Sequence, residues 1–451
     1  MNFNKTIFKY AVYYPLVMLK LQNVPAYLGE LLKTEFLSKQ ELEVLQHNKL
    51  KELIKYAKHF VPFYKDKMAA INENDIMSIN DIKKLPFVTK GLLKNCPESF
   101  LSSEKFHFLT KKTTSGSTGE PLTIYKTTDA MARELAATWR GYLWAGIDIG
   151  DRQGRFWGVP FNSKDKYRAK LIDFVCNRRR CSAFSFDQKK MEIYTKKLIS
   201  FEPKYFYGYV SMIEEYAKYF KKNQKKSPFN LECIITTSEV LTDYHRRLIE
   251  NVFSTKIFNE YGCGELGSVA HECENGSMHI MAENMIVEVL NDNRPCKPGE
   301  IGELVVTELN NRAMPLIRYK TGDFASISLE PCKCGRSLPV IENLVGRAYD
   351  MVKNKEGKIF HGEFFLYIME DAKRMNLGVD AFQIIQIDYD KLKIKVVPGV
   401  NYNQVTEDFI RNRIRDEFGH DTYIAFDKVA FIPREKSGKM RIVVNRISGQ
   451  L

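Results

Sequence analysis

The 451-residue sequence lacks the long apolar run that a membrane-spanning helix requires. Its first apolar stretch, residues 7–21, is interrupted by Lys9 and Lys20 and broken by Pro15. The stretch is therefore too short and too charged to cross a bilayer, and no cleavable signal peptide is evident. Two interpretations stay open for it: packing against the body of the protein, or peripheral contact with a membrane surface.

Internal repeats, low-complexity tracts and a disulfide framework are also absent. The nine cysteines are scattered apart from Cys332 and Cys334, a usage typical of the reducing cytoplasm. The net charge of +13 favours an anionic partner such as a nucleotide, a coenzyme or a membrane surface. The basic residues are dispersed, however, and the densest run, residues 177–180, is interpreted as a solvated face. No nucleic-acid partner is expected, and the oligomeric state stays open.

The length of the chain predicts two or three folding units. Residues 1–105 are predicted to be mostly helical, and residues 150–261 alternate between strands and helices, as in a parallel sheet covered by helices. Residues 285–309 are typical of an antiparallel sheet or barrel. The predicted fold class is therefore α/β: a large N-terminal domain (1–349) of helix-covered sheets with a smaller barrel-like β portion, and a small C-terminal α+β domain (350–451).

One stretch rich in glycine and hydroxyl side chains lies between two apolar segments, as does a loop that joins two strands. Glycine lets a backbone turn bring N–H groups close to an anion, and hydroxyl groups add further donors. No Gly-Lys-Ser/Thr follows at the spacing of a Walker loop. Phosphate binding and a polar hairpin loop without a ligand both fit this stretch taken alone. It consists of Thr114, Ser115, Gly116, Ser117, Thr118 and Gly119.

A second constellation combines cysteine and histidine. Cys332 and Cys334 form a Cys-x-Cys pair, and Cys273 and His279 complete a set of three thiolates and one imidazole that suits tetrahedral Zn²⁺. Four protein ligands leave no open position, so the predicted metal is structural. His271 is a rival for the histidine ligand, and free buried thiols beside a surface histidine are the other interpretation.

Five blocks of the sequence, taken together and in order, resemble the adenylate-forming superfamily, and within it the phenylacetate–CoA ligase and CapK-like branch. The blocks are residues 114–119, 261–265, 314–323, 346–350 with Gly357, and 433–439. Each block alone is compatible with chance, whereas all five in the family's order are not. The first hundred residues carry no motif of this kind.

The resemblance implies a two-step reaction. A carboxylate attacks the α-phosphate of ATP and releases pyrophosphate, and the acyl-adenylate then passes its acyl group to the thiol of coenzyme A. Catalysis of such transfer depends mainly on positioning and charge stabilisation. Residues 359–363 depart from the branch's pattern in a region that bears on the second step. Transfer to an amine or hydroxyl in surface (capsule) polysaccharide biosynthesis therefore stays open, as does a nucleotide-binding protein without turnover.

The resemblance also implies which residues bind the nucleotide. The loop of residues 114–119 would hold the β- and γ-phosphates. Tyr261, followed by Gly262, would stack on adenine, and Ser238 and Glu239 match the adenine-side segment more loosely. Glu265 would hold Mg²⁺, a hard cation that prefers carboxylate oxygen. Taken alone, Glu265 is also compatible with an ordinary loop carboxylate.

Four further residues receive roles from the same resemblance. Asp323 would accept hydrogen bonds from the ribose hydroxyls, and Arg347 would meet the ribose or a phosphate. Lys439 is the expected catalytic residue, since its charge would reach both the carboxylate and the α-phosphate during adenylation. Asp350 matches the hinge about which the small C-terminal domain would move between the two steps. A turn aspartate, a local ion pair and a solvated tail lysine are the alternatives for Asp323, Arg347 and Lys439.

Four aromatic residues of the alternating region complete the set of candidates. Phe156, Trp157, Tyr207 and Tyr209 are candidates for the lining of the acid pocket, and core packing explains them equally well. The sequence does not identify the acid.

Overall fold

The computed structural model describes residues 5–114, 122–158, 163–182, 188–224, 226–347, 352–360, 362–433 and 440–447. These residues form a mixed α/β fold, as the predicted fold class requires. Contacts divide the chain into two compact units, residues 1–321 with 325–343 and residues 322–324 with 344–451. The predicted border between residues 349 and 350 lies outside the described residues and stays a prediction.

The first hundred residues are largely helical, as predicted. Phe8, Tyr13 and Val17 are buried, and Trp139 Nε1 donates a hydrogen bond to Tyr13 Oη at 2.7 Å, so the N-terminal segment packs against the body of the protein. Among the described residues, none of the helices combines the length and apolar character of a membrane span. The elements are α1 (Lys5–Ile7), a π-helical turn (Phe8–Tyr13), α2 (Tyr14–Leu19), α3 (Val24–Thr34), α4 (Lys39–Phe60), α5 (Pro62–Lys67), α6 (Lys90–Asn95) and 3₁₀ turns at Glu73–Asp75, Ile79–Lys84 and Pro97–Phe100.

A sheet of twelve strands forms the centre of the fold, in the order β11-β10-β12-β13-β14-β9-β8-β7-β6-β5-β3-β4. Strands β7, β6, β5, β3 and β4 pair in parallel. The antiparallel strands predicted over residues 285–309 belong to this same sheet. The strands of the sheet are β3 (Gln153–Trp157), β4 (Arg178–Ser182), β5 (Tyr205–Tyr209), β6 (Cys233–Thr237), β7 (Ile257–Cys263), β8 (Gly267–Glu272), β9 (Met278–Ile280), β10 (Met285–Asn291), β11 (Arg294–Pro295), β12 (Gly302–Glu308), β13 (Tyr319–Ser328) and β14 (Val340–Arg347).

Helices cover both faces of the parallel strands. Phe156 and Phe206 pack into an apolar cluster with residues of α9, α10 and α11 on one face. On the opposite face, Tyr142 and Ala145 pack with Tyr205. The helices are α7 (Thr128–Trp144), α8 (Ser163–Val175), α9 (Gln188–Phe201), α10 (Val210–Lys222) and α11 (Asp243–Phe253).

The basic run of residues 177–180 is not a solvated face, and that interpretation was wrong. Its three arginines begin β4, which follows helix α8, and Arg178 and Arg180 both pair with Asp173 of α8. The side chains of both arginines are 13% exposed. Arg179 alone is exposed, and its guanidinium lies 5.1 Å from the ring of Phe201. Sequence reasoning overlooked α8 and β4 because arginine on an edge strand carries no apolar pattern.

The C-terminal unit has its own sheet, in the order β19-β18-β17-β20. Helix α13 begins at the capping residue Asn403 and buries Ile410 and Ile414. The predicted strands over 382–387 and 392–397 lie within the observed ones. The remaining elements of the chain are the β1 (Leu109–Thr114) and β2 (Leu122–Thr127) hairpin, β15 (Val352–Lys353), β16 (Ile359–Phe360), α12 (Gly362–Arg374), β17 (Val379–Asp388), β18 (Lys391–Pro398), α13 (Gln404–Phe418), β19 (Tyr423–Lys428) and β20 (Val443–Asn445).

Candidate active site and cysteine–histidine cluster

Four of the residues expected to bind the nucleotide lie near the carboxyl ends of β6 and β7. These strands are parallel neighbours in which Thr237 pairs with Glu260. Ser238 and Glu239 follow β6 directly, and Tyr261 lies just beyond the part of β7 that pairs with β6. Because carboxyl ends of parallel strands meet at one edge of a sheet, the two segments lie side by side, where open α/β sheets bind their ligands.

The segment after β6 is held in a constrained conformation. Ser238 has a φ of 69°, in the left-handed region that residues with a side chain seldom occupy. The Glu239 carboxylate accepts hydrogen bonds from the backbone N–H and the hydroxyl of Ser211, at 2.7 and 3.0 Å. Ser211 lies in the first turn of α10, so the helix that follows β5 fixes the loop that follows β6.

The hairpin between β7 and β8 requires glycine and places Glu265. A Cβ at Gly262 would lie 2.4 Å from the carbonyl oxygen of Gly267, so no larger residue fits there. Glu265 is 4% exposed, with its Oε1 3.4 Å from Tyr319 Oη and 3.8 Å from Lys90 Nζ. The arrangement presents one buried carboxylate oxygen, of the type that Mg²⁺ prefers, close to the edge where Tyr261 lies.

A buried cluster of charged side chains contacts the turn of this hairpin. Lys126 is fully buried, and its Nζ contacts Glu134 Oε2 at 2.9 Å, Glu308 Oε1 at 2.8 Å and the Leu266 carbonyl at 3.1 Å. Lys112 Nζ lies 2.6 Å from Glu134 Oε1. Burial alone would raise the pKa of Glu134, but the two ammonium groups hold it below its ordinary value. The cluster joins both strands of the glycine-rich hairpin to α7, β12 and the Glu265 loop.

Three further residues expected to bind the nucleotide lie on strands other than β6 and β7. Thr114 ends β1, Asp323 is 5% exposed in β13, and Arg347 ends β14. The remaining ones fall outside the described residues, and their roles stay predictions: Ser115, Gly116, Ser117, Thr118, Gly119, Asp350 and Lys439.

The structure brings Cys273, His279, Cys332 and Cys334 together. Their ligand atoms all lie within 4.8 Å of one another. Cys273 Sγ is 3.7 Å from Cys332 Sγ, and Cys334 Sγ is 3.2 Å from His279 Nε2. The rival His271 lies outside the cluster, where its Nδ1 donates to the carbonyl of Glu272 at 2.8 Å.

Surrounding groups orient this cluster. His279 Nδ1 donates to the Leu338 carbonyl at 3.0 Å, which leaves the lone pair of Nε2 facing the thiols. Two backbone N–H groups, those of Asn275 and Cys334, point at the sulfurs of Cys273 and Cys332, each at 3.4 Å. The donor set and its orientation therefore match a closed four-ligand site.

Sequence reasoning missed a polar group on the α7 face of the sheet. Glu260 is 9% exposed, and Tyr142 Oη donates to its carboxylate at 3.2 Å. Burial raises the pKa of Glu260 to about 7. Arg155 lies on the same face, 4.6 Å from the ring centroids of both Trp157 and Tyr207. The only sequence signal for Glu260 was its position next to Tyr261.

The comparisons with known proteins agree along nearly the whole chain. Residues 352–446 match the family model of the CapK C-terminal domain. The chain is 26% identical to protein CapK of Staphylococcus aureus, with 90% of each protein covered. It is 24% identical to the phenylacetate-coenzyme A ligase of Thermus thermophilus, over 91% of this chain and 98% of that one. A solved structure of 2-hydroxyisobutyryl-CoA ligase, in complex with R3-HIB-AMP, is similar with a TM-score of 0.74 at 18% identity, covering 92% of each chain.

The fold and the sequence comparisons both resemble those of the adenylate-forming superfamily, in its AMP-forming acid–thiol ligase group. Within that class, the chain is most like the branch of phenylacetate–CoA ligase and CapK, since its relatives at 24–26% identity carry those names and its residues 352–446 match the CapK C-terminal model.

Proposed function

We propose that this protein activates a small carboxylic acid with ATP, forming an acyl-adenylate and pyrophosphate, and then transfers the acyl group to coenzyme A. One observation carries the proposal: Ser238, Glu239, Tyr261 and Glu265 converge at one edge of a parallel sheet, at the motif positions of the family. Phenylacetate-coenzyme A ligases similar to this chain over about 90% of its length support the same reaction.

Each residue of this edge meets one need of the first step. Tyr261 offers an aromatic face to adenine, and Glu265 offers a carboxylate to Mg²⁺, which would screen the phosphate charges. The glycine-rich loop after Thr114 would hold the leaving pyrophosphate. Asp323 would bind the ribose, Arg347 would contact the ribose or a phosphate, and Asp350 would act as hinge.

The reaction is tested by pyrophosphate release in the presence of ATP, Mg²⁺ and a broad panel of carboxylic acids. Acid-dependent release supports adenylation, and its absence with every acid favours a nucleotide-binding protein without turnover. Offering coenzyme A, amines or alcohols to the preformed adenylate identifies the acceptor. Formation of a thioester excludes strict amide or ester synthesis, the second candidate that the departure at residues 359–363 keeps open.

Substitution of Lys439 tests the catalytic assignment. Lys439→Ala removes the charge that would offset the developing negative charge between carboxylate and α-phosphate. The expected cost is about 3 kcal/mol, or roughly 150-fold in the rate of acyl-adenylate formation. Lys436→Ala, in the same sequence block, is the matched control and should leave the rate within about threefold of wild type. Wild-type accumulation of acyl-AMP by Lys439→Ala would refute the role.

We also propose that Cys273, His279, Cys332 and Cys334 hold a structural Zn²⁺. Tetrahedral zinc with Zn–S bonds of about 2.3 Å separates two sulfurs by roughly 3.8 Å, and the observed separation of Cys273 and Cys332 is 3.7 Å. Zinc would tie the β8–β9 hairpin to the loop of Cys332 and Cys334, and four protein ligands leave it no catalytic position.

Metal analysis of the purified protein tests the zinc proposal. One zinc per chain is expected, and Cys332→Ser should lose it and lower the thermal midpoint. Cys96→Ser, which replaces an exposed thiol, is the control and should keep the metal. A metal-free wild type with an unchanged midpoint after chelation would contradict the proposal.

A further inference from the structure

The edge of the sheet beyond the nucleotide segments carries an excess of positive charge. Arg155 of β3 pairs in register with Arg180 of β4, and Gln153 pairs with Arg178. Register partners on parallel strands point to the same face of the sheet. Their neighbours Phe156 and Cys181 are also register partners and belong to the apolar cluster on the opposite face.

Two of the three guanidinium groups share one carboxylate, and the third has none. Asp173 contacts Arg180 at 2.8 Å and also pairs with Arg178. Among the described residues, no carboxylate lies within ion-pair distance of Arg155, whose Nε is buried without a hydrogen-bond partner. Burial, together with the charges of Arg178 and Arg180, lowers the pKa of Arg155. A largely enclosed cation without an ion-pair partner is costly, so this face of the sheet is suited to bind an anion.

The guanidinium of Arg155 is held in place by aromatic rings. It lies 4.6 Å from the centroids of Trp157 and Tyr207, and those two rings are stacked 5.7 Å apart. Its Nη1 donates to Gln153 Oε1 at 3.3 Å. An arginine fixed by cation–π contacts loses little further freedom when it binds a planar anion, and its fork matches carboxylate and phosphate oxygens.

Arg155 lies close to a position at which open α/β sheets bind ligands, the crevice between β3 and β5. Helix α8, which connects β3 to β4, lies on the face of the sheet that carries Arg180. Helix α10, which connects β5 to β6, lies on the opposite face, with Phe156. Helices that leave neighbouring parallel strands on opposite faces open a crevice at the carboxyl ends of those strands. Trp157 and Tyr209, 4.2 Å apart between ring centroids, are the last residues of β3 and β5 and so lie at this crevice.

We propose that Arg155, supported by Arg178 and Arg180, recognises a second anionic group on the acid that is activated, a carboxylate or a phosphate. This inference rests on the proposed function and names its substrate class: acids with two anionic groups rather than one. The first anionic group is the carboxylate that is adenylated. The aromatic rings of Trp157 and Tyr207 then hold the arginine rather than line an apolar pocket.

Matched pairs of acids test the inference. Succinate, glutarate, adipate and 3-phosphoglycerate are compared with succinamate, glutaramate, adipamate and glycerate, in which the second anionic group is neutralised or absent. The measured quantity is kcat/KM for acid-dependent pyrophosphate release. For wild type we expect a preference of about 10- to 100-fold for at least one dianionic acid, the range of a hydrogen bond between charged groups. The phosphate pair and the dicarboxylate pairs separate the two chemistries.

Three variants make the test specific. Arg155→Gln should bring that preference to within about threefold, by raising KM for the dianionic acid alone, and Arg155→Lys should keep part of it. Arg179→Gln, on the same edge of the sheet but facing away, should keep it in full. A wild type that uses each monoanionic acid as well as its dianionic partner would overturn the inference, as would an Arg155→Gln variant that slows both members of a pair equally.

A binding measurement separates this inference from the proposed function. The thermal midpoint is measured with each acid in the absence of ATP. Stabilisation of wild type, but not of Arg155→Gln, by a dianionic acid supports the anion site even if pyrophosphate is never released, a result that would count against the ligase. Equal stabilisation by both members of every pair overturns the anion site while leaving adenylation intact.

Discussion

Two charge clusters of this molecule differ in how their charges are balanced. In the cluster of Lys126 and Lys112, two ammonium groups meet two carboxylates, Glu134 and Glu308. In the arginine cluster, Arg178 and Arg180 share Asp173, and among the described residues Arg155 has no carboxylate within ion-pair distance. The first cluster balances its own charges and joins four elements of the fold. The second has more positive than negative charge, which the proposed bound anion balances. The comparison teaches that a buried charge indicates structure when its counter-charges are present and binding when they are missing.

The largest effect is expected where the balanced cluster is broken. Lys126→Met leaves Glu134 and Glu308 buried with one cation fewer, and breaking a buried ion pair typically costs about 3–5 kcal/mol. We expect a loss of that size in the free energy of unfolding, measured by chemical denaturation. Adding Glu308→Gln to the same chain should restore part of the stability, because one buried charge is removed again. A stability within about 0.5 kcal/mol of wild type for Lys126→Met would break the comparison.

A second prediction concerns Glu260, the carboxyl group that faces the arginine cluster. Tyr142, Tyr207, Arg155 and, at longer range, Glu134 surround it. Burial raises its pKa from 4.5 to about 7, so between these values the folded protein holds a proton that the unfolded chain has released. Stability from this group is therefore fully present below about pH 4.5 and falls as the pH rises towards 7.

Chemical denaturation at pH 5 and pH 8 measures this effect. The free energy of unfolding of wild type should fall by about 2.5 kcal/mol more than that of Glu260→Gln over this range. The raised pKa of Glu260 also bears on the comparison between the two clusters. When Glu260 is protonated, the arginine cluster has no second negative charge besides Asp173 within the described part of the chain. Parallel pH profiles for the two proteins would show that Glu260 is ionised when folded and that the arginine cluster is closer to balance.

The contrast between the clusters also explains what the sequence could predict. Helix α13 and strands β5 and β17 follow from apolar periodicity, because their burial depends on local pattern. Likewise, Tyr261 and Glu265 were located from a motif, and the structure places both near the carboxyl edge of the sheet. The Cys-x-Cys pair predicted a metal site, but only the three-dimensional arrangement selects His279 over His271, since hairpin pairing brings His279 to the thiols.

Arg155, Arg178 and Arg180 could not be found in this way. Arginine is usually solvated, and a run such as residues 177–180 is ordinarily a surface feature. The meaning of the run depends on which strand lies beside it and on how many carboxylates reach it, and both are set by long-range topology. Charge in excess on one face of a sheet is therefore a property of the fold that no window of sequence contains.

The smallest expected effect on stability is that of replacing Arg178, which tests the arginine cluster in the same way as Lys126→Met tests the lysine cluster. Asp173 still pairs with Arg180 in Arg178→Gln, so the carboxylate keeps its partner and an excess guanidinium is removed. We expect the free energy of unfolding to change by less than about 1 kcal/mol, against several for Lys126→Met. Arg179→Gln, with its exposed side chain, is the matched control.

Binding should respond where stability does not. Since Arg178 contributes positive charge beside Arg155, its loss should weaken the stabilisation of the protein by a dianionic acid about threefold in Kd, and Arg179→Gln should not. A large loss of stability in Arg178→Gln with unchanged acid binding would mean that this cluster is structural like the one around Lys126. A small loss of stability together with weakened acid binding would mean that Arg178 contributes to ligand binding and not to the stability of the fold.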